Sequence, residues 1–258
     1  MRAPSRLPLL VPAWLAVAVL VGPLAALLLR VDWAGLPGHL SSPAVGPALR
    51  LSALTTTVTL VVVLLLGTPL AWLLARSDHR ATAWLRALVT VPLVLPPVVG
   101  GVALLAAWGR TGVVGGPLQD WFGWTVPFTT LAVVLAEVFV ALPFYVVSVE
   151  GSMRGLDRRY DEVAATLGAG PVRTFTAVVL PMAAPGVAAG AALAWARALG
   201  EFGATITFAG SFPGRTQTAP LAVYAALEQD PQAALALSVL LLAVCVVVLG
   251  TLRSRWLR

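Results

Sequence analysis

The residues best placed to do chemistry in this chain are few, and their spacing suits docking and carrying more than bond-making. Glu162-Val163-Ala164-Ala165-Thr166-Leu167-Gly168-Ala169, running on to Leu180-Pro181, forms a polar, arginine-flanked stretch in an otherwise apolar chain. The residue types describe a short capped helix offered to a partner. Asp157 or Asp161 places an acidic group at the positive N-terminal end, and Gly168 supplies a left-handed stop. Pro171 suits the first turn of the next helix. Between the caps, Ala164 and Ala165 leave a nearly bare surface that a partner's groove can approach closely, and Glu162 offers a carboxylate to a partner arginine. An ordinary amphipathic surface helix would share the caps but has no need of the extended spacing through Pro181.

A second constellation sits in apolar surroundings. Arg197 and Glu201 stand one helical turn apart, and an intramembrane charge costs at least ~2.5 kcal/mol at a helix centre, so the pair must serve a purpose. Two readings follow: an i,i+4 pair that neutralises itself near the outer interface, or a pair beside a pathway. In the second, Arg197 lowers the barrier for an anion and Glu201 holds it in place, with Gly203 and the hydroxyls of Thr205 and Thr207 just beyond. Glu137, in an earlier apolar segment, is a second candidate partner for Arg197. Pro96 and Pro97, followed by Gly100 and Gly101, remove backbone hydrogen bonds, which predicts a bent helix lining the same pathway or a purely packing role for the prolines.

The elements that position these groups are set by composition. With 258 residues, 59% of them hydrophobic and 11% charged, and a mean hydropathy of +0.91, the chain is an all-α polytopic membrane protein. A helical span needs ~20 apolar residues. Runs of that length lie near 7–29, 51–75, 87–108, 128–149, 178–201 and 232–252, which predicts six transmembrane helices in a single transmembrane domain spanning 1–258. The fifth run is rich in small residues, including Gly186 and Gly190, and is expected at the centre of the bundle. The first and sixth, mostly Leu, Val and Ala, are expected to face lipid. The first could instead be a secretory signal, since Arg2 and Arg6 precede it.

Charge gives orientation and excludes several functions. All seventeen basic residues are arginine, and the net charge is +6. They are not gathered into one nucleic-acid stripe but alternate with the loops: Arg2 and Arg6, Arg76, Arg80 and Arg86, Arg154, Arg158, Arg159 and Arg173, and Arg253, Arg255 and Arg258 fall on one side. By the positive-inside rule both termini and the 150–177 loop are cytoplasmic. Without a lysine the chain cannot contain the phosphate-binding G-x-x-x-x-G-K-[ST] loop, so any ATP must be hydrolysed elsewhere. The lone Cys245 and the separate His39 and His79 offer no metal site and no catalytic constellation, so an integral-membrane enzyme is disfavoured. An ion-coupled secondary transporter predicts an inverted repeat, of which there is no sign.

The Glu162 to Pro181 pattern resembles the cytoplasmic coupling loop of permease subunits in ATP-binding-cassette importers, with Val163 and Val178 as conservative departures. Pro92 to Gly100 and the run Ala196 to Thr207 are similar to the oxyanion permeases, and together with the loop they resemble molybdate importer permeases; sulfate and thiosulfate permeases have similar runs. The resemblance implies a type I importer (MetI-like) permease fold in the cytoplasmic membrane of a bacterium or archaeon. It implies a homodimer, two copies of a separate ATPase that carries the ATP and Mg, an extracytoplasmic oxyanion-binding protein, and no cofactor in this chain. The coupling residues it implies are Glu162, Ala164, Ala165, Gly168, Ala169 and Pro181. The pathway candidates remain Arg197, Glu201, Gly203, Thr205, Thr207, Pro96 and Pro97.

Overall fold

The computed structural model describes residues 7–256 as helices joined by short turns. Arg2, Arg6 and Arg258, which enter the charge argument, lie outside the described residues, as do the side chains of Arg253 and Arg255. In chain order come α1 (Leu7–Arg30), α2 (Leu36–Leu40), α3 (Val45–Arg76), α4 (Arg80–Val94), α5 (Pro97–Trp108), α6 (Gly115–Phe122) and α7 (Thr130–Arg154). There follow α8 (Arg159–Thr166), α9 (Pro171–Thr174), a π-helical turn (Phe175–Val179), α10 (Leu180–Met182) and α11 (Ala184–Leu199). The chain ends with α12 (Gly203–Ala209), α13 (Ala219–Gln229) and α14 (Pro231–Trp256).

Among the described residues, α1, α3, α7 and α14 are long and apolar enough to cross a membrane unbroken. Two further spans are bent pairs: α4 with α5 at 118°, and the segment Pro171–Met182 with α11 at 76°. Counting each bent pair as one span gives the six expected, four unbroken helices and two broken ones. The first break follows from Pro96-Pro97. Each proline pushes the residue before it into extended backbone, and Leu95 (ψ 130°) and Pro96 (ψ 133°) both adopt it, so α5 sets off in a new direction. The second break falls at Ala183, just before Pro185, after the π-helical turn has already loosened the helix.

The centre of the bundle is α7, not the small-residue fifth span. α7 buries residues along its whole length, from Ala132 to Met153, whereas α11 buries only Gly190, Ala194, Ala198 and Leu199. The reason is geometric: α7 is unbroken and packs against α3, α4, α5, α11 and α12, while α11 presents one face to α7 and α3. Its glycines have the expected effect, because a Cβ on Gly190 would lie 3.2 Å from the Tyr145 ring and one on Gly186 would overlap Ser152. Gly67 on α3 closes on the same tyrosine from the other side, where a Cβ would lie 2.6 Å from Cδ1. Tyr145 is fully buried between the two glycines, and its hydroxyl shares a 2.6 Å hydrogen bond with Thr68.

The outer surface is apolar, as a lipid-facing surface must be. Leu10 to Leu29 of α1 are exposed except for the half-buried Leu27, as are Leu65, Leu88 and Val94. Trp33, Trp121 and Trp124 are exposed on the connecting segments, where a tryptophan belt would lie.

The Tyr145 junction yields a stability prediction. Gly67→Val or Gly190→Val should overpack it and cost about 1–3 kcal/mol, whereas Tyr145→Phe, which removes only the hydroxyl, should cost about 0.6–1.5 kcal/mol. Thermal unfolding of the detergent-solubilised protein would check the order; equal effects would contradict the close-packed junction.

Candidate coupling and translocation sites

The coupling loop is built on α8 and its flanks. Asp157 starts the helix by accepting a 2.9 Å hydrogen bond from the Arg159 N–H, so it is the acidic cap of the two foreseen. Asp161 turns instead to Arg76, whose Nε lies 3.0 Å from Oδ2 without the alignment of a hydrogen bond. Gly168 is left-handed at φ +80°, and Ala169 donates to the Ala164 carbonyl at 3.0 Å, closing the helix end in a Schellman-like turn. Pro171 begins α9 as expected.

Exposure revises which side chains a partner could touch. Ala164 is buried against its own chain, while Glu162, Ala165 and Gly168 are exposed. Ala165, Ala169 and Pro171 face a groove of about 410 Å³ that α8 forms with Trp72, Arg76 and Thr174. Tyr160, Val163 and Leu167, at i, i+3 and i+7, are 49%, 57% and 82% exposed on the outward face of α8, beyond the membrane spans. An exposed apolar stripe on a polar loop is the kind of surface a partner can cover. The i, i+3, i+7 spacing of Tyr160, Val163 and Leu167 in a polar segment was the available signal. Pro181 lies exposed in α10, next to the break at Ala183.

Ion pairs join this loop to the rest of the same end of the bundle. Arg158 grips Asp78 with both nitrogens, at 2.5 and 2.9 Å. The hydrogen bond and charge of Arg158 hold the exposed Asp78 carboxyl below its usual 3.8. A depressed carboxyl pKa gives a contribution that is present above the unfolded value and lost as pH falls through the folded one, so this pair persists across the neutral range. Arg86 on α4 donates to Glu150 at 2.6 Å and to the Leu74 carbonyl at 3.0 Å, and Arg154 adds a 3.6 Å contact to the same carboxylate. The Arg158–Asp78 and Arg86–Glu150 partners are distant in sequence, which is why sequence reasoning missed them, whereas Arg154 and Glu150 stand at i,i+4 spacing.

At the other end of α11, Arg197 and Glu201 do meet. Arg197 Nη2 lies 3.0 Å from Glu201 Oε2, an ion-pair distance without hydrogen-bond alignment. The arginine also stands over the Phe144 ring at 5.9 Å and keeps 27% of its side chain exposed, against 1% for Glu201. Glu201 Oε1 accepts a 2.8 Å hydrogen bond from the Ala204 N–H, so one carboxylate both balances Arg197 and caps α12.

The remaining candidates divide. Gly203 packs on Pro97, where a Cβ would lie 2.7 Å from the proline Cβ, and Gly101 packs equally closely on Thr207. Pro96 and Pro97 are exposed at the bend that makes this contact possible. Thr207 turns its hydroxyl back to the Gly203 carbonyl at 2.9 Å, and the Thr205 hydroxyl is fully buried without a partner. Neither reaches Arg197 by a hydrogen bond. Glu137 is not a partner of Arg197 either: Thr55 and Thr59, one turn apart on α3, donate to its two oxygens at 2.7 and 2.8 Å. Hydroxyls satisfy it because α3 faces it and α11 does not. Two threonines at i and i+4 in an apolar run were the signal.

Residues 67–258 match the family model described as a binding-protein-dependent transport system inner membrane component. The chain belongs to that family. The matched residues include both the 150–177 segment and the Arg197 region. The chain is 48% identical over 253 residues to the molybdenum transport system permease protein ModB of Mycobacterium tuberculosis, covering 97% of this chain and 96% of the relative. It is 38% identical to ModB of Escherichia coli K12, covering 81% and 92%, and 33% identical to the sulfate transport system permease protein CysT of Salmonella typhimurium, covering 92% and 88%. In fold it resembles a chain of a bacterial alginate ABC transporter solved in complex with a periplasmic protein bound to alginate pentasaccharide. That likeness has a TM-score of 0.74 at 14% identity, over 95% of this chain and 92% of the other. The MetI-like permease fold expected from the sequence is thus the fold observed, in a transport component of the inner membrane.

Burial of Glu201 makes its pairing testable. Arg197→Ala should strand the carboxylate and cost about 3–5 kcal/mol of stability, whereas Arg197→Ala with Glu201→Gln should recover most of the loss, since glutamine can still cap Ala204. A double variant no more stable than the single one in thermal unfolding would show that the pair is not charge-balanced as described.

Proposed function

We propose that this chain is the permease subunit of an ATP-driven importer for an oxyanion, with molybdate as the substrate and tungstate as its close chemical analogue. The observation that carries the substrate is the 48% identity to ModB over nearly the whole of both chains. The sulfate reading draws on the 33% identity to CysT and stands second for that reason. In this reading the chain is one membrane domain, works as a homodimer and receives its anion from an extracytoplasmic binding protein. Both termini and the 150–177 loop are cytoplasmic.

Energy comes from a separate ATPase, which holds the ATP and Mg, because a chain without lysine has no phosphate-binding loop of its own. The ATPase grips α8 through Glu162 and the exposed stripe of Val163 and Leu167, with Ala164, Ala165, Gly168, Ala169 and Pro181 shaping the loop. When ATP draws two ATPases together, the docked loops follow and the permease halves rock, opening the pathway to one side and then the other. Along that pathway an anion needs donors and a mild positive potential but not a trap. Arg197 supplies a planar fork with a partly exposed face, and Glu201 balances its charge so that the anion can leave. Gly203, Thr205 and Thr207 on α12, with Pro96 and Pro97 beneath them, form the adjoining gate.

Molybdate uptake by proteoliposomes holding the chain, its ATPase and its binding protein tests this reading. Glu162→Arg should abolish ATPase association and uptake, and Gly168→Val, which forces a branched side chain to φ +80°, should weaken both while the permease still assembles. Arg197→Lys with Glu201 intact should keep part of the uptake, since ammonium retains the charge but loses the fork. Uptake of sulfate in preference to molybdate would replace the substrate assignment, and full ATPase association in Glu162→Arg would remove the docking role. For orientation, Thr166→Cys in a Cys245→Ala background should resist an impermeant thiol reagent added outside intact cells, and Arg215→Cys should react. The reverse pattern would invert the topology.

A further inference from the structure

The cytoplasmic ion pairs do not hold the coupling loop to the helices it joins in sequence. They hold it to the turn between α3 and α4. Arg158 forks onto Asp78 in that turn at 2.5 and 2.9 Å, and Arg76, at the end of α3, reaches Asp161 at 3.0 Å and donates to the Leu156 carbonyl at 3.2 Å. The turn is itself tied down, because His79 Nδ1 accepts from the Ala81 N–H at 3.1 Å and the Thr82 hydroxyl reaches the Ser77 carbonyl at 3.3 Å. Motion given to the loop therefore reaches the start of α4 without crossing a flexible joint.

From α4 the contacts continue. Arg86 fastens α4 to Glu150 and to the Leu74 carbonyl, so α4 cannot slide freely along α3 or α7. Beyond the Pro96–Pro97 bend, α5 meets α12 at Gly101 and Gly203, where there is no room for a Cβ, and α12 is capped by the carboxylate that balances Arg197. The exposed Asp78–Arg158 pair contributes little to stability, typically about 0–1 kcal/mol, so bulk stability does not account for its bidentate grip beside the more buried Arg76–Asp161 pair on the same loop. Orientation does.

We propose that the α3–α4 turn and the coupling loop move as one body, clamped by Asp78–Arg158 and Arg76–Asp161, and that α4, α5 and α12 hand this motion to the Arg197–Glu201 pair. The inference rests on the docking reading of α8. Asp78, Arg76 and Arg158 are positioning residues in it; they set where the docked loop pushes.

The experiment replaces the clamp with a covalent one. Asp78→Cys with Arg158→Cys, in a Cys245→Ala background, is assembled with the ATPase and binding protein in proteoliposomes, and molybdate uptake is measured before and after reaction with a short bifunctional thiol reagent. Without the reagent uptake should fall about fivefold, equivalent to roughly 1 kcal/mol of coupling, while ATPase association stays within about twofold of the parent, inside the usual tolerance for a surface change. Cross-linking should restore uptake, since a rigid body is unharmed by an added bond. Uptake that remains low, or stops, after cross-linking would show that the loop must move against the turn and would overturn the proposal. Unimpaired uptake before cross-linking would do the same, and so would loss of ATPase association, which would make the pair part of the docking face. Failure of the docking reading is told apart by Glu162→Arg: should that variant keep full ATPase association, α8 is not the docking element and the clamp has no input.

Discussion

Close approach of helices around Tyr145 is the constraint on which the rest of the bundle depends. In lipid no hydrophobic force drives one apolar helix onto another, so association must come from packing and from hydrogen bonds that lipid cannot supply. Gly67 and Gly190 let α3 and α11 close on the Tyr145 ring from either side, and Thr68 takes its hydroxyl. With α3, α7 and α11 fixed, the broken spans have an unbroken frame to break against. Irregular backbone at membrane depth is tolerated only where protein or a water-lined cavity satisfies it, and the two bends fall beside α7, not on the lipid-facing helices α1 and α14.

Charge is handled by the same rule. Each buried carboxylate has its own compensation: Glu150 lies under Arg86, Glu201 beside Arg197 and Glu137 under the hydroxyls of Thr55 and Thr59. Glu137 shows that a buried acid need not be matched by a base. Two hydroxyl donors fit between helices where a guanidinium with its long stem would force α3 and α7 apart. Arg197 keeps part of its face exposed beside a fully buried Glu201, the arrangement that the proposed transient anion contact needs.

The span count, the caps of α8 and the left-handed Gly168 were legible in the sequence because each is local: apolar run length, acidic first turn and a glycine stop all act within a few residues. The depth of the α4–α5 bend was not. Pro96-Pro97 announces a break, but 118° is set by where α12 offers Gly203 and Thr207 to receive α5, a tertiary contact across more than a hundred residues. The centre of the bundle was misplaced for a related reason. Small residues in α11 signal close contact, yet they do not say which helix is approached on all sides, and that is the unbroken α7. The partners of Glu137, Asp78 and Asp161 were out of reach because they lie on distant segments, whereas Arg197 and Glu201 stand four residues apart at the end of α11 and could be paired on spacing alone.

The shared carboxylate of Glu201 gives that local pair a longer reach. One oxygen faces Arg197 and the other accepts the Ala204 N–H at the start of α12, so any anion that draws the guanidinium toward itself also changes the charge felt at the α12 cap. α12 has only Gly203–Ala209 to hold it in place, and its packing on α5 runs through glycines with no side chain to absorb a shift. A small displacement at Arg197 would therefore press on α5 and the bend below it, with no flexible side chain between them. The same contacts run in the opposite direction, from α4 through the bend to α12, so in the proposed mechanism the occupancy of the arginine and the position of the α3–α4 turn are linked by reciprocal coupling.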